Sequence, residues 1–256
     1  MKELLAGKTF MVAGAGGLLG SHIVKGAMEQ KAHIIAVDTN LESMSERLEK
    51  LGIDTNSELL NLRFLDITDQ GSVVEAFKNF GDLHGAVNAT YPRSSSYGKH
   101  FFDVSYASFN ENVSLHLGSA FLFAQQCAAY FKTKKKPFSL VNISSIYGVV
   151  APQFDVYDNT SMTMPVEYAA IKSAIQHLSK YIAAYIGDSR FRVNCVSPGG
   201  IFDNQPTDFI AAYKLKTNGN GMLNVEEVVG SVMFLLSNQS NFVTGQNLIV
   251  DDGFSL

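Results

Sequence analysis

The chain has 256 residues, of which 46% are hydrophobic and 17% are charged, and its formal net charge is −4. This length and apolar content predict one large or two small folded domains and exclude a disordered chain. The slightly acidic balance provides no basic face for nucleic acid. Two cysteines cannot form a disulfide scaffold or a Cys-rich zinc site, and no run of about 18 apolar residues is available to span a membrane.

The N-terminal run of residues 10–20, FMVAGAGGLLG, is apolar enough to resemble the hydrophobic part of a secretion signal. However, it is rich in glycine, it is preceded by Lys8, and no small-residue cleavage site ends it. We therefore expect a strand and a turn here, and a cytoplasmic protein.

Short β-branched runs alternate with longer amphipathic stretches along the chain. Most of the short runs lack period-two alternation, which is typical of strands buried on both faces of a parallel sheet. The predicted strands are Thr9–Ala13, His33–Val37, Asn61–Leu65, Gly85–Asn88, Phe138–Ile143, Arg192–Val196 and Leu248–Val250. The predicted helices are Gly17–Gln30, Asn40–Leu51, Ser72–Phe80, Ser105–Phe131, Pro165–Ile186 and Val225–Leu236. This order, with no linker or repeat, predicts one α/β domain over residues 1–256, a doubly wound parallel sheet with helices on both faces.

A glycine-rich turn joins the first predicted strand to the first predicted helix. Glycine lets backbone N–H groups approach a pyrophosphate, and the helix presents its positive end to that charge. The sequence therefore predicts a dinucleotide site, although a purely structural turn followed by a surface aspartate is the alternative. The expected cofactor contacts in the turn are Gly14, Gly16, Gly17, Leu18, Leu19 and Gly20.

Asp38 ends the second predicted strand, about 20 residues beyond the turn, where a carboxylate binds the ribose hydroxyls of adenosine. It would repel a 2′-phosphate, and Thr39 and Asn40 beside it are uncharged, so NAD is favoured over NADP. Asp66 and Ile67 follow the third strand and are expected beside the adenine, although Asp66 could equally cap the next helix.

Tyr168 and Lys172 are four residues apart, so they share one face of the predicted helix. An ammonium beside a phenol favours the phenolate and lowers the phenol's pKa from about 10. We therefore expect Tyr168 to exchange a proton with an alcohol or a ketone. The spacing alone is common, but here the preceding strand ends at Ser144 and Ser145, which places hydroxyl groups at the ligand crevice of the sheet.

These motifs, in this order, resemble the short-chain dehydrogenase/reductase family in its single-domain form, along essentially the whole chain. The resemblance implies that Ser145 holds the substrate oxygen, that Tyr168 transfers the proton, and that Lys172 lowers its pKa and binds the nicotinamide ribose. It also implies that Asn112 holds a water in a proton relay. Further cofactor contacts are implied in two segments, which contribute Asn88 and Ala89, and Pro198, Gly199, Gly200 and Ile201.

The chain departs from the family pattern at four places, one of which is Asp252 in place of a usual Gly. The glycine spacing is similar to that of the extended, sugar-nucleotide branch. Asp203 stands where the family usually has the Thr that binds the nicotinamide carboxamide, and we expect its carboxylate to make that contact. Residues 150–166 form an insertion that we expect to line the substrate site through Tyr157. This insertion, the segment VEYAAIKSAI and the glycine turn also resemble bacterial oxidoreductases of flagellin and surface-glycan modification.

Two further segments bear on the substrate. Residues 91–99 carry Arg93, Lys99, three Ser and two Tyr. These groups suit a polyhydroxylated or phosphorylated ligand, and the alternative is an ordinary polar loop. Arg93 is a predicted substrate contact together with Ser145, Tyr157 and Tyr168. Residues 202–216 have apolar side chains at helical spacing, which indicates either a lid helix or simple packing.

The sequence therefore predicts an NAD-dependent oxidoreductase that interconverts a secondary alcohol and a ketone. The expected substrate that carries this group is a sugar, a sugar phosphate or a nucleotide sugar. The expected partner is a small-molecule substrate, with no nucleic acid, membrane or metal ion. The family resemblance implies a homodimer or homotetramer, and burial of the long helices within one chain is the alternative. Two other functions stay open: a sugar-nucleotide epimerase or dehydratase that retains its NAD, and an NAD(H)-sensing regulator without turnover.

Overall fold

The computed structural model describes residues 3–256. One seven-stranded sheet runs through the molecule in the order β3-β2-β1-β4-β5-β6-β7, and every strand pairs in parallel with its neighbours. The strands are β1 Thr9–Ala13, β2 His33–Asp38, β3 Leu60–Phe64, β4 Gly85–Asn88, β5 Phe138–Ile143, β6 Phe191–Pro198 and β7 Asn247–Val250. The predicted doubly wound sheet is confirmed.

Residues 3–256 form eight α-helices, most of which pack on the two faces of the sheet. They are α1 Leu18–Glu29, α2 Leu41–Lys50, α3 Gln70–Asn79, α4 Tyr106–Asn112, α5 Ser119–Lys134, α6 Val166–Ile186, α7 Thr207–Lys214 and α8 Glu226–Leu236. The core beside α1, α2 and α8 contains Ile23, Met44 and Val232. The opposite core, beside α3 and α5, contains Phe77 and Phe123. The continuous apolar strands are thus buried on both faces, and β4 and β6 are buried along their whole length.

Two details correct the predicted helices. The stretch predicted as one helix over 105–131 is interrupted by a π-helical turn, Val113–Gly118, between α4 and α5. The N-cap of α3 is Asp69, whose carboxylate accepts hydrogen bonds from the backbone N–H groups of Gly71 and Ser72. Asp66 is therefore not the helix cap.

A third group of buried apolar residues lies apart from both faces of the sheet. We call it the wall cluster, and it consists of Ile146, Tyr147, Val156, Tyr157, Phe209, Tyr213 and Phe254. It joins the insertion to α7, since the rings of Tyr157 and Phe209 lie 5.1 Å apart. An ion pair of 2.6 Å between Asp155 and Lys216 also links them. No described helix is long and apolar enough to cross a membrane.

Candidate active site

The glycine turn follows β1 and packs closely against its neighbours. Gly14 has a φ of +80°, and a Cβ there would lie 2.8 Å from the carbonyl oxygen of Ala89. A Cβ on Gly20 would overlap the carbonyl oxygen of Gly14. The backbone of the turn therefore needs glycine at both positions, which leaves the start of α1 open to a ligand.

A cavity of about 350 Å³ lies between this turn and the end of β2. Asp38 is held towards the turn, because one carboxylate oxygen accepts from the N–H of Gly16 at 2.9 Å and the other accepts from the N–H of Thr39 at 2.8 Å. Among residues 3–256, those that line this cavity include no Lys or Arg. The described lining includes Gly14, Gly16, Gly17, Asp38, Asp66, Ile67 and Ala89.

Two of the predicted cofactor contacts make local hydrogen bonds. The Asp66 carboxylate accepts from both the N–H and the hydroxyl of Thr68, at 2.8 and 2.7 Å. The buried Asn88 amide oxygen accepts from the N–H and the hydroxyl of Thr90, at 3.2 and 2.6 Å. Asn88 thus shapes the segment after β4, while Ala89, Thr90 and Tyr91 line both this cavity and the next one.

A second cavity, of about 520 Å³, lies at the carboxyl ends of β5 and β6. It brings together residues that are far apart in the sequence, which happens because the carboxyl ends of parallel strands meet at one edge of the sheet. The predicted residues in its lining are Leu18, Leu19, Ala89, Ser145, Tyr157, Tyr168, Lys172, Pro198, Gly199, Gly200 and Ile201.

Lys172 is fixed inside this cavity. Its Nζ donates to the carbonyl oxygen of Ile143 at 2.9 Å and lies 5.5 Å from the ring centroid of Tyr168. Only 4% of the residue is exposed, and this burial lowers the pKa of Lys172 to about 8. The ammonium is therefore the predominant form at neutral pH.

Tyr168 differs from the expectation in its acidity. Burial raises the pKa of Tyr168, and the hydrogen bond with Ser145 opposes that effect. Lys172 does not bring the pKa below its ordinary value in this structure, contrary to the prediction from the spacing, because the phenol is itself removed from water. Tyr168 is consequently a neutral phenol at neutral pH, able to donate a proton.

Asn112 ends α4, directly before the π-helical turn. Its side-chain oxygen accepts from the N–H of Ser94 at 2.9 Å, and its Nδ2 donates to the hydroxyl of Ser94 and the carbonyl of Ser108, at 3.1 and 3.0 Å. These bonds tie residues 91–99 to α4. The water relay implied for Asn112 stays a prediction.

The structure does not bring Asp203 into the wall of the second cavity. Asp203 is exposed, and its N–H donates to the side-chain oxygen of Gln205 at 2.7 Å. Gln205 also donates to the carbonyl of Ile201 at 2.9 Å, and it is Gln205 that lines the cavity. Gln205 thus supplies the polar group that the sequence predicted at Asp203.

Arg93 is also exposed and outside the cavity lining. Its guanidinium carbon lies 4.8 Å from the ring centroid of Tyr91, so it stands at the rim rather than inside. Tyr147 and Met222 in this wall were not identified from the sequence, and Tyr91, Phe209 and Tyr213 were included only as parts of the segments 91–99 and 202–216. The helical spacing of Phe209 and Tyr213 was the one available signal for α7.

The residues present fit a nicotinamide dinucleotide. The close-packed glycine turn leaves room for a pyrophosphate, Asp38 faces the first cavity, and the second cavity holds the hydroxyl, phenol and ammonium groups. Because the two cavities share three lining residues, one extended ligand can occupy both. Within residues 3–256, no group of three or more His, Cys, Asp or Glu side chains is placed to hold a metal ion.

Comparison with known proteins agrees with this geometry. A family model described as enoyl-(acyl carrier protein) reductase matches residues 14–255. The post-translational flagellin modification protein A of Campylobacter coli is 38% identical over 99% of this chain and 100% of its own length. A 3-oxoacyl-[acyl-carrier-protein] reductase of Chlamydia muridarum is 27% identical over the full length of both. The crystal structure of a short chain dehydrogenase from Leptospira borgpetersenii with bound NAD+ has a TM-score of 0.87, 32% identity and coverage of 100% of this chain and 95% of that one.

Proposed function

The chain belongs to the short-chain dehydrogenase/reductase family and is an NAD(P)-dependent oxidoreductase, and on this basis we propose that it uses NAD to interconvert a secondary alcohol and a ketone on a sugar ring. The observation that carries the proposal is the convergence of Ser145, Tyr168 and Lys172 on a cavity that adjoins the Asp38 cavity.

Each of the three side chains has a defined role in this reaction. The Ser145 hydroxyl holds the substrate oxygen, and the neutral Tyr168 phenol donates a proton to that oxygen during ketone reduction. The Lys172 ammonium stabilises the phenolate that remains, and its bond to Ile143 keeps it in place. The nicotinamide, when bound, supplies or accepts the hydride.

The preference for NAD rests on Asp38. Its carboxylate faces the cavity where an adenosine ribose would lie, and a 2′-phosphate there would meet a like charge. We expect NADH to bind at least about tenfold more tightly than NADPH, since one unfavourable charge contact of this kind is worth about 1.4 kcal/mol or more. Titration by cofactor fluorescence measures both affinities. Tighter binding of NADPH to the wild-type protein would overturn this preference.

The wall of the second cavity supports a ring-shaped, hydroxylated substrate. Lys172 is the one charged side chain in its described lining, and that ammonium is already bound to Ile143. Tyr147 and Tyr157 also line the cavity, and phenols of this kind bind a sugar through the apolar ring and the hydroxyl group. An anionic group of the substrate would remain at the rim near Arg93. The 38% identity with a post-translational flagellin modification protein supports a role in flagellin modification.

Tyr168→Phe tests the catalytic proposal. We expect this change to lower turnover by at least about 100-fold, because it removes the proton donor, while NADH affinity stays within about threefold. Loss of NADH absorbance with a panel of uncharged and phosphorylated keto sugars measures turnover. Full activity of the variant would contradict the site, and turnover of other ketones but no sugar would contradict the substrate class.

A further inference from the structure

Tyr91 lies where the two cavities meet, and its ring contacts both members of the proposed proton-transfer pair. The ring centroids of Tyr91 and Tyr168 are 5.5 Å apart with planes at 82°, an edge-to-face contact. The Lys172 Nζ lies 5.8 Å from the ring centroid of Tyr91 and 5.5 Å from that of Tyr168. The ammonium therefore faces two aromatic rings at once.

Tyr91 is itself held from several directions. Its hydroxyl is hydrogen-bonded to the hydroxyl of Tyr97, and its ring meets that of His116 at 5.2 Å. Burial lowers the pKa of His116 to about 2, so the imidazole is neutral and adds no charge beside Lys172. The guanidinium of Arg93 lies over the Tyr91 ring at 4.8 Å. A side chain fixed in this way can in turn fix its neighbours.

Lys172 has a specific need for such a neighbour. The buried ammonium carries three N–H donors, and the hydrogen bond to Ile143 uses one of them. The negative face of an aromatic ring stabilises a cation that has lost water. Tyr168 also packs against the wall cluster, so its ring is in contact both with that cluster and with Tyr91.

We propose that Tyr91 is a positioning residue: its ring orients the Tyr168 phenol and the Lys172 ammonium so that together they bind the nicotinamide half of the cofactor and reach the substrate oxygen. This inference rests on the proposed function. The aromatic ring of Tyr91 performs this role, and the hydrogen bond between the hydroxyls of Tyr91 and Tyr97 holds the ring in place.

Two variants separate the ring from its hydroxyl. Tyr91→Phe keeps the ring, and Tyr91→Leu removes it but leaves an apolar side chain. The probes are NADH, which reaches both cavities, and ADP, which reaches only the Asp38 side. We expect Tyr91→Leu to lower the affinity for NADH by about tenfold, while its affinity for ADP stays within about threefold of the wild-type value. Tyr91→Phe should leave both affinities within about threefold of the wild-type values. Tyr106→Leu, at an exposed tyrosine, is the matched control and should change neither affinity.

The ratio of NADH affinity to ADP affinity distinguishes a positioning role of the Tyr91 ring from general damage to the protein. An NADH-to-ADP affinity ratio that is unchanged in Tyr91→Leu would overturn the positioning role. This includes an equal loss of affinity for both ligands, which would indicate general damage to the two cavities. Equal effects of Tyr91→Phe and Tyr91→Leu would assign the role to the hydroxyl instead of the ring. The melting temperature of each variant confirms that the fold is retained. Failure of the wild-type protein to bind NADH would contradict the proposed function itself.

Discussion

Lys172 combines deep burial with a charge that the reaction requires. Burial lowers its pKa from 10.5 to about 8, so the folded chain loses this proton at a pH where a free lysine would keep it. Below pH 8 the ammonium can donate to a bound cofactor, and above it the charge is lost. We therefore expect the dissociation constant for NADH to rise as the pH increases through about 8. Fluorescence titration from pH 6.5 to 9.5 measures it.

The matched control for this prediction is Lys172→Met, which keeps most of the length of the side chain without its charge. Its NADH affinity should be weaker and should not change near pH 8. A wild-type affinity that is constant through that pH would contradict the assignment of the ammonium to cofactor binding.

Gly20 and Gly230 give a second contrast between residues of the same type. A Cβ on Gly20 would overlap the carbonyl oxygen of Gly14, whereas a Cβ on Gly230, in α8, would meet nothing within 4 Å. Gly20→Ala should lower the free energy of unfolding by about 2–4 kcal/mol and abolish NADH binding, because the turn must move. Gly230→Ala should raise the free energy of unfolding by about 0.5–1 kcal/mol, because alanine restricts the conformations of the unfolded chain. Urea denaturation measures both, and a stable Gly20→Ala protein that binds NADH would refute the close-packed turn.

The sequence was informative at residues whose chemistry depends on local spacing. Any helix places Tyr168 and Lys172 on the same face, because they are four residues apart. The position of Asp38 follows from its place at the end of a predicted strand. The position of Gln205 in the cavity wall depends instead on its bonds to Asp203 and Ile201, which no periodicity reveals. The acidity of Tyr168 was mispredicted for a similar reason, since burial is a property of the folded molecule.

At the level of elements, the strands were easier to predict than the helix interiors. The bounds of β1, β4 and β5 are those expected from their apolar runs. The π-helical turn Val113–Gly118 was not predicted, because amphipathic spacing continues through it and its wider hydrogen bonds depend on packing against neighbouring elements.

The attachment of α7 depends on the wall cluster more than on the ion pair beside it. The Asp155 and Lys216 side chains are 58% and 36% exposed, so Lys216→Met should change the free energy of unfolding by less than about 0.5 kcal/mol. Phe209 is buried between Tyr157 and Tyr213, so Phe209→Ala should cost about 3 kcal/mol. It should also raise the substrate KM while NADH affinity stays unchanged. Denaturant titration compares the two variants, and equal losses would show that the ion pair holds α7.

On the scale of the whole molecule, α5 and α6 expose aromatic side chains to the surroundings. Tyr181 and Tyr185 on α6 stack at 6.0 Å and are 62% and 69% exposed. Lys132 of α5 lies over the ring of Tyr185 at 5.5 Å, and Phe121 on the same helix is 48% exposed. Exposed apolar patches of this kind mark surfaces that bind a partner, and we expect these two helices to form a homodimer interface.

A double change, Tyr181→Glu with Tyr185→Glu, should prevent the expected dimer from forming, because it places charge in the expected apolar contact. Light scattering coupled to size-exclusion chromatography measures the mass. Phe242→Glu, at a fully exposed site elsewhere, is the control and should leave the dimer intact. A wild-type protein that is monomeric at micromolar concentration would contradict the interface.

The wall cluster is separate from the two cores beside the sheet, which affects how proteins with this fold diverge in sequence. Its members belong to neither of the two cores that flank the sheet, and Asp38 and the glycine turn lie on the other side of Tyr91. Substitutions in residues 150–166 and 207–222 that keep the contact of the Tyr213 hydroxyl with the N–H of Gly200 can therefore change the wall of the second cavity without disturbing the two cores of the sheet. Under the proposed function, a lineage could acquire a new substrate by changing this one cluster while it keeps both cores of the sheet and the glycine turn.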